Sequence, residues 1–217
     1  MSAHADTPIS PRTAPLRAIS FGDPAVSVER RDDGTIYLRP KAALGDYPVR
    51  LTDRLHHWAK TAPDRIFMAQ REGAGWRQIS YAQLLGYSRR IASALLARGL
   101  SAERPLLILS GNSIDHALMA FGALYAGIPF CPVSSAYSLV SKDYGKLAFV
   151  MKLLTPGLVF ADDAGKFASA LSACVAEDVE IVASRITRSD TLPLRARAIA
   201  PSPRVAMAMR SLSSTPA

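Results

Sequence analysis

Pro105-Leu106-Leu107-Ile108-Leu109, then Gly111-Asn112-Ser113, then Ile114, Leu118, Phe121 and Tyr125 at helical spacing up to Gly127: this stretch decides the fold. The first five residues are a short, wholly apolar run, read as a strand buried on both faces. Gly111-Asn112-Ser113 turns the chain into a helix, and Gly127 ends it. The pattern then repeats. Ile128 to Val133 reads as a strand, and Ser141 is placed to cap a helix that runs to about Leu154 before Pro156-Gly157 stops it. Leu158 to Ala161 reads as a third strand, Asp162 or Asp163 as the cap of a helix through Val175, and Val179 to Ala183 as a fourth strand. Strand and helix in strict alternation predict a parallel sheet with crossover helices. In such a fold ligands sit beyond the carboxyl ends of the strands. The segments to watch are therefore Ser110 to Ser113, Ser134 to Ser141 and whatever follows Ala183.

Upstream, the signals change. Val26 and Val28 alternate before the polar turn Arg31-Asp32-Asp33-Gly34, and Ile36 and Leu38 follow it, which predicts a short hairpin. Thr52 is placed to cap a helix whose apolar face would be Leu51, Leu55, Trp58 and Ala59, closed by Pro63. Ile66 to Gln70 and Trp76 to Ile79 flank Gly73-Ala74-Gly75 and predict a second hairpin. Ser80-Tyr81-Ala82-Gln83 is a capping box, in which hydroxyl and amide each satisfy a free N–H of a helix's first turn. Leu84, Ile91 and Leu95 continue one face of that helix, with Ser88 a polar break, and Gly99 is its C-terminal glycine. The fold class is thus α/β: a partial doubly wound parallel sheet with crossover helices, preceded by short β-hairpins and followed by a disordered tail.

Composition sets the outer bounds. The 217 residues carry 49% hydrophobic and 20% charged side chains, enough for a sizeable core. The net charge is +8, but six arginines against one acid (Asp190) between Ser184 and Ala217 supply +5 of it. Those arginines are spread and have no interleaved aromatics, so nucleic-acid binding is not expected. Residues 1 to 18, with Pro8, Pro11 and Pro15, read as a disordered arm, and residues 184 to 217 as a disordered basic tail. Between them, residues 19 to 183 form the folded part. Met1 to Ser20 has no apolar run of the secretory type. Ala117 to Val133 is nearly all apolar, but Gly127-Ile128-Pro129 interrupts it below the ~20 residues of a membrane span. Cys131 and Cys174 match no metal spacing and are expected to be reduced, buried thiols of a cytoplasmic protein.

Four stretches carry a family resemblance by their order and spacing. They are Ile79-Ser80-Tyr81-Ala82-Gln83-Leu84, Leu106 through Ser113, Phe121-Gly122-Ala123-Leu124-Tyr125-Ala126-Gly127-Ile128-Pro129, and Leu153 through Phe160. Together, from Trp76 to Asp162, they resemble the N-terminal subdomain of the AMP-forming acyl- and aryl-CoA synthetases, the adenylate-forming superfamily. A closer resemblance is to feruloyl-CoA synthetase, through Gly22-Asp23-Pro24-Ala25-Val26, Tyr47-Pro48-Val49-Arg50-Leu51-Thr52-Asp53-Arg54-Leu55 and Ala136-Tyr137-Ser138-Leu139-Val140-Ser141. The resemblance spans about residues 20 to 183. It implies a ligase that joins ATP and a carboxylate, such as a hydroxycinnamate, into an acyl-adenylate, from which CoA displaces AMP. ATP, Mg²⁺ and CoA are the implied cofactors.

The family holds phosphates with a Ser/Thr/Gly-rich loop ending in Pro-Lys-Gly, a later Thr-Gly-Asp and a lysine near the C-terminus. None is found here. Pro40-Lys41 comes too early and is followed by Ala42, and the sequence contains no Thr-Gly dipeptide. Gly145-Lys146 lies in a helical pattern, and Val140 stands where a P-loop needs its first glycine. The change in composition at Ser184 suits a frameshift or premature stop. The expectation is a truncated ligase, inactive as this chain, with no catalytic, cofactor-binding or metal-binding residue assigned. The alternative is a non-catalytic module that pairs with a complete synthetase or a separate C-terminal chain. That module would use the unpaired edge of the last strand near Ile181.

Adjacent His56 and His57 do not share a helix face, so His57 should be exposed and His56 partly packed. Asp115 and His116 suit the first turn of a helix, with no nucleophile at a supporting spacing. Ser110-Gly111-Asn112-Ser113 lacks the spacing of a nucleophile elbow and reads as a structural turn. Tyr137 is the residue that would approach an aryl substrate or the CoA arm.

Overall fold

The computed structural model describes residues 25–185 and 196–198, and the expected arm at 1–18 and most of the expected tail lie outside them. The chain divides into two units, Met1–Tyr47 and Pro48–Ala217. In the first, β1 (Val26–Arg30) pairs antiparallel with β2 (Ile36–Pro40), with Val28 opposite Leu38. The alternation read from the sequence is real, and Val26, Val28, Ile36 and Leu38 are all exposed. The other face carries a Glu29–Arg39 ion pair at 2.9 Å and the Arg31 guanidinium 4.2 Å above the Tyr37 ring.

The second unit opens with α1 (Leu51–Thr61). Thr52 does not cap it. Arg50 takes the cap position, and its N–H donates to the Asp53 carboxylate at 3.1 Å. The helix is also turned from the expected face: Thr52 and Leu55 are buried, whereas Leu51 is 71% exposed and Trp58 36%. Thr, Leu and Ala at spacing three and four fit the neighbouring helix more closely than the larger apolar residues would. His56 is half-buried and His57 exposed, as read.

Next, β3 (Ile66–Glu72) and β4 (Gly75–Ser80) form the expected antiparallel hairpin. It leads into α2 (Tyr81–Ala97) through the predicted capping box. Gln83 N–H donates to Ser80 Oγ at 3.3 Å, and Ser80 N–H to Gln83 Oε1 at 2.9 Å. At the far end Gly99 has φ +71°, and the N–H groups of Leu100 and Gly99 reach the carbonyls of Leu95 and Leu96. This is a Schellman closure, which only a residue tolerant of positive φ makes without strain. Leu84, Ile91 and Leu95 are fully buried, and the polar break at Ser88 is resolved by its hydroxyl donating to the Leu84 carbonyl at 2.7 Å.

The main sheet comprises β5 (Leu106–Leu109), β6 (Phe130–Val133), β7 (Leu158–Asp163), β8 (Glu180–Arg185) and β9 (Ala196–Ala198). All its pairs are parallel, in the order β6-β5-β7-β8-β9. The chain steps from β5 to β6 on one side, then returns to place β7 on the other. The switch point therefore lies between β5 and β7. Leu106, Ile108, Leu158, Phe160 and Val182 face one core with α2 and α3 (Ile114–Ala126). Leu107, Leu109, Val159, Ala161 and Ile181 face a second core with α5 (Gly145–Leu154) and α6 (Ala168–Cys174). Helices on both faces make the sheet doubly wound, and they explain why its strands are apolar without alternation.

Four expectations change here. The helix capped by Ser141 is two elements, a short α4 (Ala136–Leu139) and then α5. Ser141 Oγ donates instead to Asp143, which also accepts from Gly145 N–H. These two bonds and nearby Lys146 hold the Asp143 carboxyl below the usual carboxylate range. Gly145-Lys146 thus opens α5, between two left-handed non-glycine residues, Tyr144 (φ 52°) and Thr155 (φ 45°). Asp163 caps a turn, accepting from Gly165 and Lys166, and α6 begins only at Ala168. The last expected strand extends to Arg185, and Ala196–Ala198 pairs alongside it, opposite Ile181 to Ala183. β8 is consequently no open edge, and the edge proposed there for a partner is covered. Cys131 and Cys174 are free but only half-buried, and burial still pushes both thiols up.

One glycine sets the spacing of the helix layer. A Cβ on Gly122 of α3 would lie 2.3 Å from Ile91 Cγ2 and 2.7 Å from Ile91 Cβ of α2. Neither atom is the flexible end of a side chain, so a helix must move. Gly122→Ala is expected to lower stability by about 1–3 kcal/mol, after any gain in helix propensity. Urea unfolding checks this, and the loss should shrink in an Ile91→Ala background.

Candidate functional site

One residue beyond the apolar layer, the carboxyl ends of the strands carry a polar row. Register places Leu109 opposite Val133 and Ala161, and Ala161 opposite Ala183. The next residues, Ser134, Ser110, Asp162 and Ser184, are therefore neighbours across β6, β5, β7 and β8. By the same alternation they point to the side packed by α2 and α3. A strand tip there needs polar groups, because the helix N-termini and turns that close the sheet leave backbone donors to satisfy.

Ser110 is buried, and its hydroxyl lies 2.8 Å from the Gly111 carbonyl and 2.7 Å from His116 Nδ1. A hydroxyl has one proton. Given to Gly111, it leaves the oxygen to accept from an Nδ1-protonated His116, which satisfies both contacts. In that arrangement the imidazole is no base toward Ser110. Asp162 accepts from Gly111 N–H at 3.2 Å, which ties β7 to β5 across the switch point. Asp162 Oδ1 and Ser184 Oγ are buried without a hydrogen-bond partner, as is Ser138 Oγ in α4.

The first turn of α3 is closed from two sides. Ser113 Oγ accepts from His116 N–H at 3.0 Å, and Gln70 of β3 accepts from Ile114 N–H at 2.7 Å. Asp115 does not meet His116. It forms a 2.6 Å ion pair with Arg77 of β4, in which the Asp115 side chain is buried and that of Arg77 is partly buried. Asp115 and His116 are hence drawn to different partners, and the turn from Ser110 to Ser113 is a joint between strand and helix. Tyr137 sits in α4, just past the carboxyl end of β6, with Lys146 Nζ 5.3 Å from its ring centre.

At the start of α3 the N–H groups of Ile114 and His116 are already used, and the carboxylate of Asp162 occupies the switch point with one oxygen lacking a donor. Among the described residues no group of three or more His, Cys, Asp and Glu could hold a metal ion, and no helix is long and apolar enough to cross a membrane. The buried orphan oxygens are the feature that sequence reading missed. Asp162 and Ser184 each follow an apolar strand by one residue, but only the register shows that they adjoin.

Comparison with known proteins agrees with this architecture. The family described as AMP-binding enzyme matches residues 55–210, nearly three quarters of the chain. The large subunit of L-2-aminoadipate reductase from Eremothecium gossypii is 24% identical over 196 residues, covering 80% of this chain. The chain spans 14% of that protein's length. Among solved structures, a fatty acid AMP ligase from Legionella pneumophila superposes with a TM-score of 0.52 at 18% identity, over 62% of this chain and 23% of that one. A putative long-chain-fatty-acid CoA ligase from Rhodopseudomonas palustris gives 0.52 at 21% identity, over 62% and 32%. At such identities the likeness is one of fold, and it is the fold expected of the N-terminal portion of an adenylate-forming enzyme. On the family match, this chain belongs to the AMP-binding enzymes of the adenylate-forming superfamily.

Proposed function

We propose that the chain supplies the first parallel sheet of a carboxylate-activating ligase of the aryl-CoA type. Its overall reaction would be ATP plus an aromatic carboxylate to acyl-adenylate and pyrophosphate, then displacement of AMP by the thiol of CoA. The family match over residues 55–210 carries the reading. The feruloyl-type segments at Gly22–Val26, Tyr47–Leu55 and Ala136–Ser141 support the aromatic substrate class. Tyr137, at the carboxyl edge of the sheet, is the residue proposed to approach the aryl group or the CoA arm. Activity requires groups for the phosphates that this sequence lacks, so the chain by itself is proposed to be inactive.

Two measurements test this. Titration of the 217-residue chain with MgATP should show no saturable binding, and pyrophosphate exchange with ferulate should stay at background. Binding at micromolar ATP would overturn the claim of inactivity. Resequencing the coding DNA across the codon for Ser184 tests the rest. A continuation in another frame into a Ser/Thr/Gly-rich loop ending in Pro-Lys-Gly would yield a longer product, expected to exchange pyrophosphate with ferulate. A longer product that activates only aliphatic acids would sink the aromatic assignment.

A further inference from the structure

A cavity of about 540 Å³ lies between the start of α1 and the end of α3, at the opposite end of α3 from Ser113. Its volume is in the range of small-molecule sites. The two helix ends that wall it are complementary. On the α1 side, the N–H groups of Leu51 and Thr52 have no acceptor, as first-turn donors do unless something caps them. Thr52 lines the same wall and is 9% exposed, with no hydrogen bond to its hydroxyl. His56 stands one turn further along, its ring 5.6 Å from that of Tyr125. On the α3 side, Ile128 and Gly127 N–H satisfy the carbonyls of Ala123 and Leu124, while those of Tyr125 and Ala126 accept nothing.

One end of the cavity thus offers donors at the positive end of a helix dipole, and the other offers acceptors at a negative end. Of the remaining lining, Leu51 and Leu124 are apolar, and Arg50, largely exposed, is held to Asp53 at 3.3 Å beside the α1 end, where it adds to the attraction for a carboxylate. A lone anion would meet the free carbonyls, and a lone cation the free N–H groups. We infer that this cavity is a binding site for a small zwitterion, an α-amino acid with an aliphatic side chain, its carboxylate toward Thr52 and its ammonium toward Tyr125 and Ala126. The inference rests on the two helix ends and is independent of the proposed ligase reaction.

The test uses the ¹⁵N-labelled full chain and three probes: L-leucine, 4-methylpentanoate, which lacks the ammonium, and 3-methylbutylamine, which lacks the carboxylate. Leucine should shift the amides of Leu51, Thr52, Ala126 and Gly127 saturably. Each single-ended analogue should bind at least about tenfold more weakly. Thr52→Val, which keeps the shape, should weaken leucine by about tenfold, and Thr52→Ser should restore it. If either analogue matches leucine, or leucine gives no saturable shift at both ends, the inference is overturned. An undiminished affinity in a folded Thr52→Val chain would overturn it too. Should that variant fail to fold, the comparison of the three probes on the unaltered chain still decides.

Discussion

Asp115→Ala is expected to destabilise the chain by about 3–5 kcal/mol, because it strands a largely desolvated guanidinium. The Arg77 and Asp115 side chains are 14% and 8% exposed and meet at 2.6 Å. Arg77 Nε already lacks a partner, so removing the carboxylate leaves that cation with less still. A smaller part of the loss comes from α3, where an acid in the first turn is worth about 0.3–1 kcal/mol. The pair joins β4 to α3, and the His116 contact with Ser110 lies in the same turn. His116 resonances should therefore shift as well. Urea unfolding gives the stability, and the double replacement Asp115→Ala with Arg77→Met should recover most of it, since it removes both charges. If Asp115→Ala costs under about 1 kcal/mol, the pair behaves as a solvated surface bridge and the geometry given for it is wrong.

Phe160→Ala should have a comparable effect, about 3–5 kcal/mol, through a cavity in the core shared by the sheet with α2 and α3. Phe160 is fully buried in β7, between β5 and β8, and belongs to the larger of the two cores. Domains of this kind have only about 5–15 kcal/mol of stability in total, so the variant should melt well below the parent. Trp58→Ala is the control. Its ring is larger but 36% exposed, so its loss should be clearly smaller. Equal losses from the two variants would mean that the buried layer does not centre on β7.

The sequence already held both the capping box at Ser80 and the glycine at Gly99, because each is a local bargain between neighbours in the chain. The strand runs at Leu106, Leu158 and Ile181 were legible for a related reason: a strand covered on both faces has no polar alternation to hide it. The family was legible in the order of these pieces. Around α5 the local signals point away from the structure. Ser141 looked like a cap because it precedes an apolar run, but Tyr144 and Thr155 take left-handed backbone that their residue types do not advertise. The face of α1 failed similarly, since hydrophobicity alone cannot show which residue a neighbouring helix has room for.

By itself, then, the sequence determined the alternation of strand and helix, the caps of α2 and the family, all of which rest on local patterns and their order along the chain. Only the tertiary structure decided what depends on register and approach between segments. It put Asp162 beside Ser184 and Ser110 in a row, sent Asp115 to Arg77 instead of His116, and set Ile91 against the bare backbone of Gly122. It also brought the donors of α1 to face the acceptors of α3 across a cavity. Hydrogen bonds and close contacts act over about 3–4 Å, so partners distant in sequence are fixed only when packing has chosen which surfaces touch.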